Sequence, residues 1–532
     1  MTDPSTAKLK DPESLIELHE RLLFQRAYPS SIRELRLTER ELKNIGSRVY
    51  ELSDSDVDLA PLDAPDVSGI AGTSVTSNFS YALVRWLVSR FPKQVSIDWD
   101  WFDSEDQFGT TMRRFLPLLA EDAMVEAHVP YREWLDCARG RQNEVAWIIE
   151  RFESLLLNDR QKAELYDSLK LHVTWEFGWR SSRTGMRLPT RKTFFHDAPL
   201  IKRRDVSLVK ELNAPAIPVK KLSQAEGQKA LDLARQTSAV RYRELHGFTF
   251  GDPSRVVKAD LGRGTEAFVI GVPAEYRLPL RAYHAAFILK NGVPVAYFEG
   301  LSLCEHMESG FNLYYTFRDG ETAWLYARIL RLMRQLLGVT VFSIDPYQAG
   351  HENEEGIESG AFWFYRKLGF RPVKPEILKL TLAEEEKMAT NSSHRTSART
   401  LRKLAAGHML FEMPGRETRE WDRFEARNIG FAVERRMVRD FGGDLEKLRR
   451  NIPGLATETL RPRNETQMRL FNDLAVVLST AANIGKWSRD EMNAAAKVFL
   501  AKGGADEAQY LKQMQKHALL RALLIKLGCR QD

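Results

Sequence analysis

Cysteine is scarce in this chain, with three residues among 532: Cys137, Cys304 and Cys529. They lie far apart and form no C-x-x-C pair, so neither a disulfide framework nor a thiolate metal site can be drawn, and a reducing, cytoplasmic setting is expected. Long hydrophobic runs are missing too. No stretch of about 18 predominantly apolar residues occurs, which predicts a soluble protein without a membrane-spanning helix. The opening residues MTDPSTAKLKDPESLIELHERLLF hold acids and prolines where a secretory signal needs a basic start and an unbroken apolar stretch, so no signal peptide is expected. A strong excess of one charge is also absent, because 78 Lys and Arg face 72 Asp and Glu for a net charge of +6. That balance permits a nucleic-acid partner without implying one. The histidines contain no H-x-x-x-H pair and no G-x-S-x-G elbow occurs, which leaves zinc and serine-hydrolase chemistry without support. Asp98, Asp100, Asp103, Glu105 and Asp106 crowd together but lack the ligand spacing of an EF-hand, and no metal is expected.

What is present is enough apolar material for packed cores, 43% hydrophobic and 10% aromatic residues, in a chain long enough for several domains. Residues 1–205 read as a mainly helical domain. It opens at Asp11-Pro12-Glu13, where an N-cap, a proline at the first helical position and an acid in the first turn coincide. A second helix is expected from about Asn78 to Arg90, and the alternation in VSIDWDW reads as a half-buried strand. Residues 390–403, TNSSHRTSARTLRK, have the polar, Ser/Thr-rich composition of a linker. Residues 404–532 read as a separate helical module, more basic than the rest of the chain.

Between them, residues 216–389 alternate strands and helices, the pattern of an α/β unit. Strands are expected at Ile217–Leu222, Ala282–Leu289, Val293–Leu301, Phe311–Phe317, Val339–Ile344, Phe370–Val373 and Leu378–Leu382. Helices are expected from Gln224 to about Leu245, at Glu321–Leu337 and at Glu358–Leu368, with a loop from Asp345 to Gly356. Asn291-Gly292 between two alternating apolar runs is a strong hairpin signal.

The most informative residues come late, in Glu358-Ser359-Gly360-Ala361-Phe362-Trp363-Phe364-Tyr365-Arg366-Lys367-Leu368-Gly369-Phe370. Their apolar members recur at helical spacing, and Gly369 supplies a left-handed exit back to a sheet. The stretch resembles the last motif of the GNAT superfamily of N-acetyltransferases. The resemblance covers about 170 residues and implies a GNAT-like mixed central sheet with flanking helices, acetyl-CoA or another acyl-CoA as donor, and an amine, small or peptidic, as acceptor. It also implies that Tyr365 protonates the departing thiolate. A second signature of that family is the turn after the fourth strand, where backbone N–H groups at a helix start hold pyrophosphate. Here the turn reads Phe317-Arg318-Asp319-Gly320-Glu321-Thr322-Ala323, and the resemblance assigns Arg318, Asp319, Gly320, Thr322 and Ala323 to the cofactor. Glu321 stands where the family has Gly, which is compatible with a pyrophosphate only if its carboxylate points away.

Acyl transfer to an amine also needs a proton acceptor near the ends of the central strands, and Glu299, Asp345 and His351 are the candidates. His351, Glu352, Glu354 and Glu355 lie in a loop expected at the cleft mouth, where acids would attract a cationic acceptor. Two other readings stay open: a transferase on the same fold that takes its donor from aminoacyl-tRNA, and a non-catalytic binding module.

Overall fold

The computed structural model describes residues 11–55, 57–451, 462–481 and 484–529. It is mixed α/β. Near its start, Pro12–Ala27 forms a helix capped by Asp11, whose carboxylate accepts from Ser14 N at 2.7 Å. Further helices surround a small antiparallel sheet of β1 (Ser74–Ser77), β2 (Val95–Ile97) and β3 (Val173–Glu176), in the order β1-β3-β2. Among the described residues, no helix is long and apolar enough to cross a membrane.

A larger sheet comes next, of β4 (Val219–Lys221), β5 (Val256–Gly262), β6 (Thr265–Ile270), β7 (Ala282–Lys290), β8 (Val293–Leu303), β9 (His306–Leu313), β10 (Val341–Ile344), β11 (Arg371–Pro372) and β12 (Met409–Glu412). Its order is β11-β12-β10-β9-β8-β7-β6-β5-β4. Every neighbouring pair is antiparallel except β9 and β10, which run parallel. The β7–β8 hairpin turns at Asn291 and Gly292 with φ of 48° and 79°, as the Asn-Gly pair predicts. All nine residues of β7 are buried, so this hairpin is central to the core.

Several expectations need correction. Leu378–Leu382 is not a strand but part of the helix Pro375–Thr390. Ile377, Leu378, Leu380 and Leu382 mimic a period of two, yet the buried residues are Ile377, Thr381 and Glu384, at helical spacing behind an N-terminal proline. The strand beside β10 comes instead from Met409–Glu412, four apolar or shielded residues inside the stretch expected to be wholly helical. The fourth long strand begins at His306 rather than Phe311, and Tyr315–Phe317 is a turn of 3-10 helix. The hairpin β5–β6 has no counterpart among the expected strands; Gly262-Arg263-Gly264 turns it, with positive φ at all three residues. The expected helix Glu358–Leu368 is divided into Glu354–Glu358 and Ala361–Lys367 by Gly360 at φ 65°. A short helix, Pro346–Ala349, occupies part of the expected loop, and another, Ala398–Leu404, part of the expected linker.

The C-terminal helices are bound to the sheet by buried polar contacts. Arg277 donates to the Lys502 and Gly504 carbonyls at 2.5 and 2.8 Å, and the Lys502 ammonium pairs with Glu507. Arg521 grips Glu305 in the β8–β9 turn with contacts of 2.5 to 3.1 Å.

Candidate active site

The parallel pair creates the site. β9 and β10 are paired from Val341↔His306 to Ser343↔Glu308, after which β9 continues to Leu313 while β10 ends at Ile344. The strand pairing ends at Glu308, with only the Ser309 hydroxyl still donating across to Ser343 O at 3.4 Å, and a cavity of about 970 Å³ opens beside the gap. Strand register divides its wall between the two faces of the sheet. Glu299 pairs with Gly310 and Tyr297 with Asn312, so the side chains of Tyr297, Glu299 and Asn312 share one face. Phe311 projects from the other, where its ring lies 5.1 Å from that of Tyr326 in the helix Thr322–Leu337.

Tyr365 belongs to the Phe311 side. Its ring packs 5.8 Å from Tyr326 and 5.8 Å from Phe370, and its residue is 4% exposed while still lining the cavity. Burial alone pushes its hydroxyl above the ordinary tyrosine range, so it is protonated and able to donate at neutral pH.

The turn before Thr322 forms the adjoining wall. Arg318, Asp319, Gly320, Thr322 and Ala323 all line the cavity. Glu321, the N-cap, makes no side-chain cap, and the amides of Thr322, Ala323 and Trp324 donate to no protein acceptor among the described residues. The Glu321 carboxylate is turned into the interior. It accepts from Ile201 N at 3.1 Å and meets Arg263 at 2.6 Å and Lys290 at 3.2 Å. Burial opposes its charge, but the Arg263 hydrogen bond and the Lys290 charge outweigh that and hold its pKa low. Lys290 is itself 1% exposed, beneath the rings of Tyr28, Phe194 and Trp324, and burial lowers its pKa to about 8. Gly320 contributes space, not a donor. Its N–H is spent on Phe317 O at 2.9 Å, and a Cβ there would stand 2.6 Å from Tyr28 Oη and 2.9 Å from Phe317 O.

On the opposite face, Glu299 accepts from Tyr283 Oη at 2.5 Å. Burial, then the charge and hydrogen bond of Glu299, push the Tyr283 hydroxyl far up, so it stays a donor. Among the described residues, Glu299 has no cation within ion-pair distance.

Other expected site residues fall elsewhere. Asp345 caps the helix Pro346–Ala349 by accepting from Tyr347 N at 2.9 Å, and it lines a separate cleft of about 250 Å³ with His306 and Glu308. His351, Glu352 and Glu354 do not line the main cavity. Glu354 is bound by Arg402 at 2.7 and 3.0 Å, a contact that lowers its pKa. Glu355 does line the cavity but is neutralised by Arg318. Of the acids expected at the mouth, Glu354 and Glu355 are therefore taken up in ion pairs, because the linker helix and the turn bring arginines to them.

Sequence reasoning missed Tyr297, Asn312, Arg243, Lys202 and Arg203, which also line the cavity. Tyr297 was within reach, since strand alternation puts it beside Glu299. Lys202 and Arg203 arrive from the end of the N-terminal segment, with no local signal that it crosses this helix start. Among the described residues, no group of three or more His, Cys, Asp or Glu side chains is arranged to hold a metal ion. No protein-family model, curated protein or solved structure matches the chain.

Proposed function

We propose that the chain is an N-acyltransferase of GNAT type that moves an acetyl or other acyl group from acyl-CoA to an amine. The observation that carries this reading is the cavity at the parting of β9 and β10, which has free amides and Tyr365 on one face of the sheet and Glu299 on the other. The Phe311 side suits the donor. Three unpartnered amides at the start of a 16-residue helix favour phosphate, and the withdrawal of Glu321 removes the carboxylate that would repel it. Lys202 and Arg203 add positive charge at the same wall. Acyl-CoA supplies an activated thioester.

The chain's own groups then have two tasks. Glu299 takes one proton from the acceptor ammonium and passes it to solvent, which frees the nitrogen lone pair; it then takes the second as that nitrogen bonds to the acyl carbon and the C–S bond breaks. Tyr365 gives its proton to the departing thiolate and regains one from solvent. Opposite faces keep the two groups apart, so that neither neutralises the other.

Calorimetry with acetyl-CoA, beside an RNA titration at two salt concentrations, tests the reading. Acetyl-CoA binding without RNA binding is the expected result. A steeply salt-dependent RNA signal without acetyl-CoA binding would select the aminoacyl-tRNA alternative, and neither signal would leave a binding module.

A further inference from the structure

Glu299 and Arg243 are opposite charges on the same side of one cavity, and among the described residues neither has an ion-pair partner, Asp66 acting on Arg243 only from beyond that distance. Glu299 has Tyr283 as a hydrogen-bond donor but no cation. Arg243 donates from Nη1 to Tyr297 Oη at 3.0 Å, and among the described residues no carboxylate lies within ion-pair distance of it. Tyr297 and Glu299 are two residues apart on β8, on the order of 7 Å along the strand, and with Arg243 held on the Tyr297 hydroxyl both charges line the same cavity without forming an ion pair.

The surroundings add to the positive end. Arg241 is 6% exposed, donates to Thr237 O at 2.6 Å and lies 4.0 Å above the Tyr314 ring, again with no carboxylate partner. Burial lowers its pKa only to about 9, which leaves it charged at neutral pH. Glu20, an acid close enough to act on it, is already held by Arg183 at 2.8 Å. Unmatched charges at a cavity wall favour a ligand that supplies the missing counter-charges.

We infer that the acceptor is a small zwitterionic amine of the free amino-acid class, its ammonium seated at Glu299 and its carboxylate at Arg243. A guanidinium suits a carboxylate because its fork of donors matches two oxygens. Asn312, on the same face as Tyr297, supplies a further polar contact at the cavity wall. This inference rests on the acyltransferase reading for the chemistry performed, though not for the binding of the zwitterion.

The test uses the full chain and the twenty common L-amino acids paired with their C-terminal amides, which keep the side chain and the amine but lose the negative charge. Thiol release from acetyl-CoA is measured for each pair, and calorimetry without donor measures binding of the same probes. One or more amino acids should be acylated at least about 10-fold better in kcat/KM than the matching amide. Arg243→Gln should reduce that ratio to about one, corresponding to about 1.4 kcal/mol of lost discrimination. Arg243→Lys, which retains charge but not the fork, should restore part of it. Amino acids that bind better than their amides without any thiol release would sustain the zwitterion site and overturn the acyltransferase reading. Equal turnover of acids and amides would do the reverse. Absence of both binding and turnover for every amino acid would overturn the inference.

Discussion

Replacing Tyr365 by Phe keeps the ring among Tyr326, Phe364 and Phe370 and removes only the hydroxyl at the cavity. Because that hydroxyl is held neutral by burial, its loss should remove proton donation without changing the charge of the site. General-acid assistance is worth about 10²–10⁴-fold, so kcat for acyl transfer should fall within that range while acetyl-CoA affinity stays near wild type. A thermal melt checks the alternative of a purely structural role; the hydroxyl makes no hydrogen bond to protein among the described residues, so the melting temperature should stay close to wild type. Near-normal turnover with a lowered melting temperature would make Tyr365 a packing residue only. Helical spacing read this tyrosine as part of an apolar face and the resemblance implied a proton donor; that it reaches a cavity came only from the folded chain, just as the position of Asp345 after a strand was legible whereas its use as a helix cap was not.

At the scale of elements, the start of the helix Thr322–Leu337 depends on residues distant in sequence. Lys290 and Arg263, from the ends of two hairpins, draw Glu321 inward and leave the helix start without a carboxylate. Gly320 is small because Tyr28, from the first helix, presses against the turn. Gly320→Val should therefore weaken CoA binding and lower stability by about 1–3 kcal/mol, the usual cost of overpacking. Adding Tyr28→Phe removes the nearer of the two contacts and should recover part of the stability, which chemical denaturation would detect. Unchanged CoA affinity in folded Gly320→Val would remove this turn from the donor site. Sequence showed the turn and the helix but not the direction of the Glu321 side chain, because that direction is set by two cations more than 30 positions away.

Across the whole molecule, the sheet cannot be separated from the C-terminal residues beyond 403. β12 lies between β10 and β11, so a chain ending at 403 would leave the edge of β10 unpaired and β11 without its partner. Such a truncation should be insoluble or expanded, as judged by expression and size-exclusion chromatography. A truncation after residue 415 keeps β12 but uncovers Arg277 and Glu305, and it should be destabilised to a smaller degree. Folding stability should also be pH-sensitive. His306 stacks on Trp421 at 4.7 Å and shares a hydrogen bond with Ser343 at 2.9 Å, and burial lowers its pKa to about 3. His196 is likewise lowered by burial, to about 4. Both remain neutral in the folded chain below pH 6.5, where the unfolded chain gains protons, so stability falls with pH. His306 should contribute up to about 1.4 kcal/mol per pH unit down to its folded pKa, and the half-buried His196 less, because solvent screens it. Urea unfolding between pH 7 and pH 4 should show a shallower slope for His306→Asn than for wild type; equal slopes would contradict the assignment.

Local order was written in local residues. Asp11-Pro12 starts a helix, Asn291-Gly292 closes a hairpin and the Tyr365 helix leads out through Gly369, because caps, positive φ and side-chain period act over a few positions. Leu378–Leu382 and Met409–Glu412 mark the limit. A short apolar run suits helix or strand alike, and which one enters the sheet depends on the empty edge beside β10, to which only the folded chain gives a position. The same holds for the site. Composition excluded disulfides and long apolar spans, and the motif pointed to acyl transfer, but the cavity required two parallel strands to part. Its two faces, with Glu299 and Arg243 on one and Tyr365 with the free amides on the other, come from strand register and from packing across long separations, neither of which a linear reading contains.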